Sequence, residues 1–150
     1  MNISNSFNIS ASALTAQRLR MDVISSNIAN AETTRASVSN GEAVPYKRKM
    51  VVLEPNKTSF NSLLQNQMRN NSSGDGVRVT EIREDQSPLK PVYDPSHPDA
   101  NAEGYVYMPN VDIAKEMVDM ISASRSYEAN VTALNSTKAM ISKALEIGRA

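Results

Sequence analysis

The stretch from Ile113 to Leu145 sets the tightest limit on what this chain can become. Ile113, Met117, Met120, Tyr127, Val131, Leu134, Ile141 and Leu145 follow spacings of three and four residues, with Ser124 and Lys138 as polar members of the same series. That period marks one face of an α-helix. "PNVDIAKEM" supplies its start: Pro109 disfavours a helix entering from upstream, Asn110 offers a capping side chain, and Asp112 and Glu116 bring negative charge to the positive end. Gly148 and Arg149 suit its finish. Ordering each residue costs about 1–2 kcal/mol of backbone entropy, whereas burying a large apolar side chain returns about 1.5–3 kcal/mol. A narrow seam on one long helix therefore cannot stand alone, and a packing partner is required.

The N-terminal segment supplies that partner. Phe7, Leu14, Met21 and Ile28 recur at heptad spacing, with Ala11 and Ile24 between them, and predict a second helix that begins between Asn5 and Ser10 and ends near Ala29. Ser4, Asn5 and Ser6 are all suitable caps. The helix runs into "NIANA", where Asn27 and Asn30 have amides able to satisfy backbone groups as the helix gives way to extended chain, and Ala29 and Ala31 allow close approach.

Between the helices the character changes. "GEAVP", "NNSSGDG" and "YDPSHPDANAEG" are turn signals. The strand candidates are Tyr46 to Leu53, Gly76 to Ile82, Pro91 to Tyr93 and Gly104 to Met108, and "TSFNSLLQNQM" suits a loop with one short helix. The expected fold is mixed α/β and elongated: long N- and C-terminal helices packed in a coiled-coil-like pair around an irregular, mainly β middle. The boundaries are 1–35 for the N-terminal helix and junction, 36–109 for the middle, and 110–150 for the C-terminal helix.

Chemistry-bearing residues are sparse. Sixteen basic and sixteen acidic residues cancel, so no global field attracts nucleic acid or an anionic membrane, and "KRK" at Lys47 to Lys49 reads as a solvated strand or rim. The absence of cysteine removes disulfides and thiolate chemistry. No apolar run reaches the roughly 20 residues of a spanning helix, and "MNISNSFNIS" has no signal-peptide pattern. A subunit working outside the cytoplasm is thus expected to leave by another route. His97 in "DPSHPD" reads as a turn residue, Glu81, Glu84 and Asp85 as a charged surface turn, and Ser126, Tyr127 and Glu128 as helix neighbours without triad character. No phosphate loop, dinucleotide fingerprint or paired-His zinc motif occurs. The expectation is no enzyme, cofactor or metal.

"ASALTAQRLRMDVISSNIANAETTR" at 11–35 and "VPYKRKMVVL" at 44–53, together with the block from Val92 to Gly148 containing "DPSHPDANAEGYVYMPNVD" and "SRSYEANVTALNSTK", resemble the flagellar axial-protein family. Within it the likeness is to the proximal-rod branch of the basal body. After "NIAN" the chain has "AETTRAS" where several hook and distal-rod relatives continue Asn-Thr-x-Gly-Tyr, which narrows the likeness to that branch. The resemblance implies a helix-end junction at Asn27, Ala29 and Asn30, and a C-terminal packing helix carrying Glu116, Met117, Arg125, Tyr127, Glu128, Asn130 and Asn135.

It also implies a structural rod subunit that transmits torque, with copies of itself and neighbouring proximal-rod subunits as partners. The flagellar type III export apparatus would be its partner in transit. The inter-subunit packing positions expected on this basis are Phe7, Leu14, Met21, Ile24 and Ile28 with the apolar C-terminal series from Ile113 to Leu145. The competing expectation is a non-filamentous helical adaptor or chaperone-like partner, and a further alternative is another rod subunit of the same family.

Overall fold

The computed structural model describes residues 3–39, 42–56 and 76–148. The expected short helix within Thr58–Met68 lies outside the described residues, as does Arg149. Helix α1 spans Ile3–Ala29 and helix α2 spans Ile113–Ile147. Between them come β1 (Ser37–Ser39), β2 (Glu42–Val44), β3 (Lys49–Pro55), β4 (Val77–Glu84), β5 (Lys90–Tyr93) and β6 (Tyr105–Met108). They form two-stranded sheets β1–β2, β3–β4 and β5–β6 among the described residues. The architecture is mixed α/β, as the patterning predicts.

The β1–β2 hairpin, with Ser37 opposite Val44 and Ser39 opposite Glu42, was not expected from sequence. Its strands are three residues long and β1 has a single apolar side chain, so no alternation advertises them. In β5–β6, Tyr93 lies opposite Tyr105, and their rings meet edge-on with centroids 5.3 Å apart. Gly104 just before β6 has φ of 81°, and a Cβ there would come within 3.0 Å of the Tyr93 ring. Glycine meets both the left-handed backbone and the close approach.

Contacts group the chain into two compact units, each drawing on both helices: one of residues 1–19, 52–81 and 123–150, the other of 20–51 and 82–122. In the first, the chain entering β4 sits on α1. The Ser12 hydroxyl donates to the Ile9 carbonyl and accepts from the Val77 N–H, and a Cβ on Gly76 would lie 2.5 Å from the Ser12 Oγ. Thr137 of α2 is buried, with its hydroxyl donating to the Ala133 carbonyl one turn back. In the second unit the buried apolar residues include Val23, Ile24, Tyr46, Val106, Pro109 and Val111.

The protected face of each helix is not its largest-residue seam. On α2 the protected positions include Glu116, Ala123, Asn130 and Thr137, each seven residues after the last. On α1 they are Ala16, Val23, Ile24 and Asn27. Met120, Tyr127 and Leu134 are half-buried, while Ile113, Met117, Ile141 and Leu145 are exposed. Small residues let backbones approach, and Asn130 and Thr137 satisfy their polar groups on carbonyls of their own helix.

The start of α2 differs from expectation in one detail. Asp112, not Asn110, caps the helix: its Oδ1 accepts from the Ala114 and Lys115 N–H groups at 3.0 and 3.3 Å, and its carbonyl takes the first helical bond from Glu116. Asn110 lies two residues too early and is engaged elsewhere. Asp112→Ala is expected to cost about 1 kcal/mol, read as a small drop in thermal midpoint. Asn110→Ala should leave α2's first-turn amide protection unchanged, and a loss there would reverse the assignment.

Candidate functional site

The residue that organises the second unit is Asn27, in the last turns of α1 and only 1% exposed. Its amide nitrogen donates to the Lys49 carbonyl and to Glu116 Oε2, each at 2.9 Å. Its oxygen accepts the Lys49 N–H at 2.9 Å and the Tyr46 hydroxyl at 3.0 Å. Asn27 thus meets both backbone groups of Lys49 as a neighbouring strand would, and ties the first residue of β3 to the end of α1. The sequence reading had Asn27 serving its own helix end. Asn30 does that instead, its amide donating to the Ser26 carbonyl at 2.9 Å while Thr33 bonds its oxygen.

Glu116, the second residue of this cluster, is also 1% exposed. Its Oε1 accepts from Arg48 Nε, and Arg48 Nη2 lies 2.7 Å from the same oxygen. Arg48 reaches Asp85 at 3.4 Å and Asp119 at 3.8 Å, and Asp119 in turn lies 3.5 Å from Arg20. The Arg48 N–H donates to Asn110 Oδ1, whose amide bonds the Asp85 and Ser87 carbonyls. Burial alone would lower the Arg48 pKa, but Glu116 and then Asp85 outweigh it and hold the guanidinium above its ordinary value. "KRK" is therefore not a solvated strip throughout: Lys47 and Lys49 are exposed, whereas the Arg48 side chain between them is 14% exposed and ion-paired. Alternation along extended chain sends successive side chains to opposite faces, which separates Arg48 from both lysines.

Asp99 makes a second polar junction. Its carboxylate accepts from Thr34 Oγ1 at 2.9 Å and from Arg35, fixing the loop before β6 to the segment after α1. His97 Nδ1 accepts the Asp99 N–H, so His97 serves the turn as expected. The depression beside this loop, lined by Arg35, Val38, Tyr105 and Tyr107 among others, has Asp99 as its one acid among the described residues, and that acid is committed to Arg35 and Thr34. Among the described residues no group of three His, Cys, Asp or Glu side chains has a metal-binding arrangement.

Asp85 is held below the ordinary carboxylate range by the Ser87 hydroxyl and N–H, Asp94 by those of Ser96, and Asp99 by Arg35 and Thr34. A depressed folded-state pKa stabilises the fold fully above the unfolded value of about 3.9. That contribution is lost as the pH falls through the lower folded-state value. Urea unfolding across a pH series should therefore show these carboxylates' stabilisation only declining in acid, below about pH 5. Asp99→Asn should shallow that acid limb, and an unchanged limb would remove Asp99 from the account.

Of the positions expected to pack between subunits, Ile24 is buried within the chain. Leu14, Met21, Ile28, Met120, Tyr127, Val131 and Leu134 are half-buried, and Phe7, Ile113, Met117, Ile141 and Leu145 are exposed. At the helix-end junction Asn27 is buried, Asn30 half-buried and Ala29 exposed. Sequence reasoning did not find the interior roles of Arg48, Asn110 and Glu116. The available signal was the exact seven-residue recurrence of Glu116, Ala123, Asn130 and Thr137, a small and polar stripe beside the large apolar one.

Both ends of this arrangement fall in segments with recognisable relatives. Residues 7–36, which include Asn27, match the family described as "Flagella basal body rod protein", and residues 102–147, which include Glu116, match "Flagellar basal body rod FlgEFG protein C-terminal". The chain is 61% identical to the Bacillus subtilis (strain 168) protein named flagellar basal-body rod protein FlgC, across 99% of this chain and 100% of that one. It is 46% identical to the protein of that name from Borreliella burgdorferi, over 98% of each chain. The Escherichia coli O157:H7 protein of that name is 44% identical, over 99% of this chain and 100% of its own.

Proposed function

Because the chain belongs to the flagellar basal-body rod protein FlgC family, we propose that it is a structural subunit of the basal-body rod whose two terminal helices carry contacts between subunits. It is not an enzyme. The observation that carries the contact surface is the exposure of large apolar side chains on α2, whose protected face is small and polar: Met117 is 54% exposed, Ile121 60% and Leu145 65%. Apolar surface of this kind marks protein–protein contact.

In this reading the subunit lies in the proximal rod and helps transmit torque toward the hook. Its partners are copies of itself and neighbouring rod subunits, joined by heterologous contacts that repeat along a helical assembly. The terminal helices pair in coiled-coil fashion toward the inner wall of a hollow rod, and the 36–109 region makes lateral or outer contacts. The exposed and half-buried members of the expected seams, from Phe7 to Ile28 and from Ile113 to Leu145, supply the packing side chains.

Deleting the gene and imaging basal bodies by cryo-electron tomography tests the assignment. A missing or truncated rod is expected. A complete rod with normal flagella would favour the adaptor reading, which shares the helices but needs no filament. Delivery runs through the flagellar type III export apparatus, read from the N-terminal residues before α1 packs. Deleting the first residues should retain the subunit inside the cell, and export at the native rate would refute that location of the signal.

A further inference from the structure

We infer that the buried cluster of Asn27, Arg48 and Glu116 is a register lock: it selects one axial alignment of α1 against α2. The two helices run antiparallel where they meet, since Asn27 contacts Glu116 while Arg20, seven residues earlier, reaches Asp119. The α2 stripe at this meeting, Glu116 and Ala123, offers no large apolar side chain to Val23 and Ile24 of α1, so packing alone discriminates weakly between alignments. The protected stripe of α2 also repeats at the heptad, with Ala123 seven residues after Glu116. Sliding α2 by seven residues, about 10 Å along its axis, would present much the same small surface to α1.

What changes on sliding is the polar pairing. Glu116 would leave Asn27 and Arg48, and an alanine would arrive in its place. Asn27 would lose one of its four hydrogen bonds, and Arg48 would lose its closest carboxylate. Buried polar groups left without partners disfavour the slipped alignment far more than equivalent small-residue packing disfavours it. Arg48 adds a second constraint, because its backbone N–H is bound by Asn110, three residues before α2 begins. One cluster thereby ties the alignment of the helices to the seating of β3. A single buried polar contact sets alignment in paired helices by the same physics.

The test uses the full chain, which has no native cysteine, with nitroxide labels on Ser25→Cys of α1 and Ser122→Cys of α2, both exposed positions. Pulsed electron paramagnetic resonance then reads the distance between labels. The parent should give one narrow distance. Arg48→Met/Glu116→Leu should keep its helix content by circular dichroism yet give a broadened or divided distribution. One narrow distance unchanged from the parent would overturn the lock.

Should the double variant lose its helix content, Glu116→Gln decides, since it keeps the side chain's shape while removing the charged acceptor facing Arg48. A second distance in Glu116→Gln is then expected, and the parental distance alone would overturn the proposal. Asp85→Asn, which alters only the longer contact to Arg48, should retain the parental distance, and division there would also count against a lock centred on Glu116. The readout is independent of rod assembly, so its failure leaves the functional assignment separately decided by tomography.

Discussion

Arg48→Met is expected to lower folding stability by about 3–5 kcal/mol, the range found when one partner of a buried ion pair is removed. Glu116 would keep its burial and lose both guanidinium contacts, retaining the single hydrogen bond from Asn27. For a chain of this length the loss corresponds to a fall of roughly 10 °C in thermal midpoint. Adding Glu116→Met should recover most of it, because two apolar side chains leave no orphaned charge. Urea unfolding followed by circular dichroism measures all three proteins. A loss below about 1 kcal/mol in Arg48→Met would assign the pair the strength of a surface contact, and the burial argument would fail.

The second large effect concerns assembly. Met117 and Ile121 stand one turn apart on α2, both more than half exposed, so lysines there meet solvent in the free subunit and cost little stability. In an assembled rod the same positions would bury charge against a neighbour, at several kcal/mol for each unpaired ammonium. Met117→Lys/Ile121→Lys should therefore leave the unfolding curve nearly unchanged while reducing intact rods by about tenfold or more, since each 1.4 kcal/mol of lost contact is a factor of ten. Rod yield is normalised to exported subunit. Near-normal yield would remove this face from the interface. Tyr127 and Leu134 are half-buried within the chain, so charges there would mix folding with assembly and decide less.

Those two variants separate what sequence periodicity reveals from what it conceals. The alternating three- and four-residue spacing of α2, the heptads of α1 and the turn clusters between them predict both helices and the approximate places of β3, β4, β5 and β6. These are local properties: a helix face, a cap or a turn depends on neighbours a few residues away, and the spacing of side chains expresses it directly. "NIAN" was legible as a junction for the same reason, and Asn30 fulfils that role within one turn of helix.

Which face turned inward was not legible. Large apolar residues usually mark the interior, yet here Met117 and Leu145 are exposed while Glu116 and Asn27 are buried. On the proposed function such side chains would complete their packing against neighbouring subunits, and ranking residues by hydrophobicity would find that surface before the internal one. The polar interior depends on contacts between residues 22 to 89 positions apart in the chain: Asn27 with Lys49, Arg48 with Glu116, and Asn27 with Glu116. Local spacing alone does not encode such pairings. The sequence by itself determined the helices, the approximate places of β3 to β6 and the family, while "GEAVP", which suits a turn, holds strand β2 instead; tertiary structure alone decided that Asn27, Arg48 and Glu116 meet, because a buried amide and a buried charge persist only where distant partners satisfy them together.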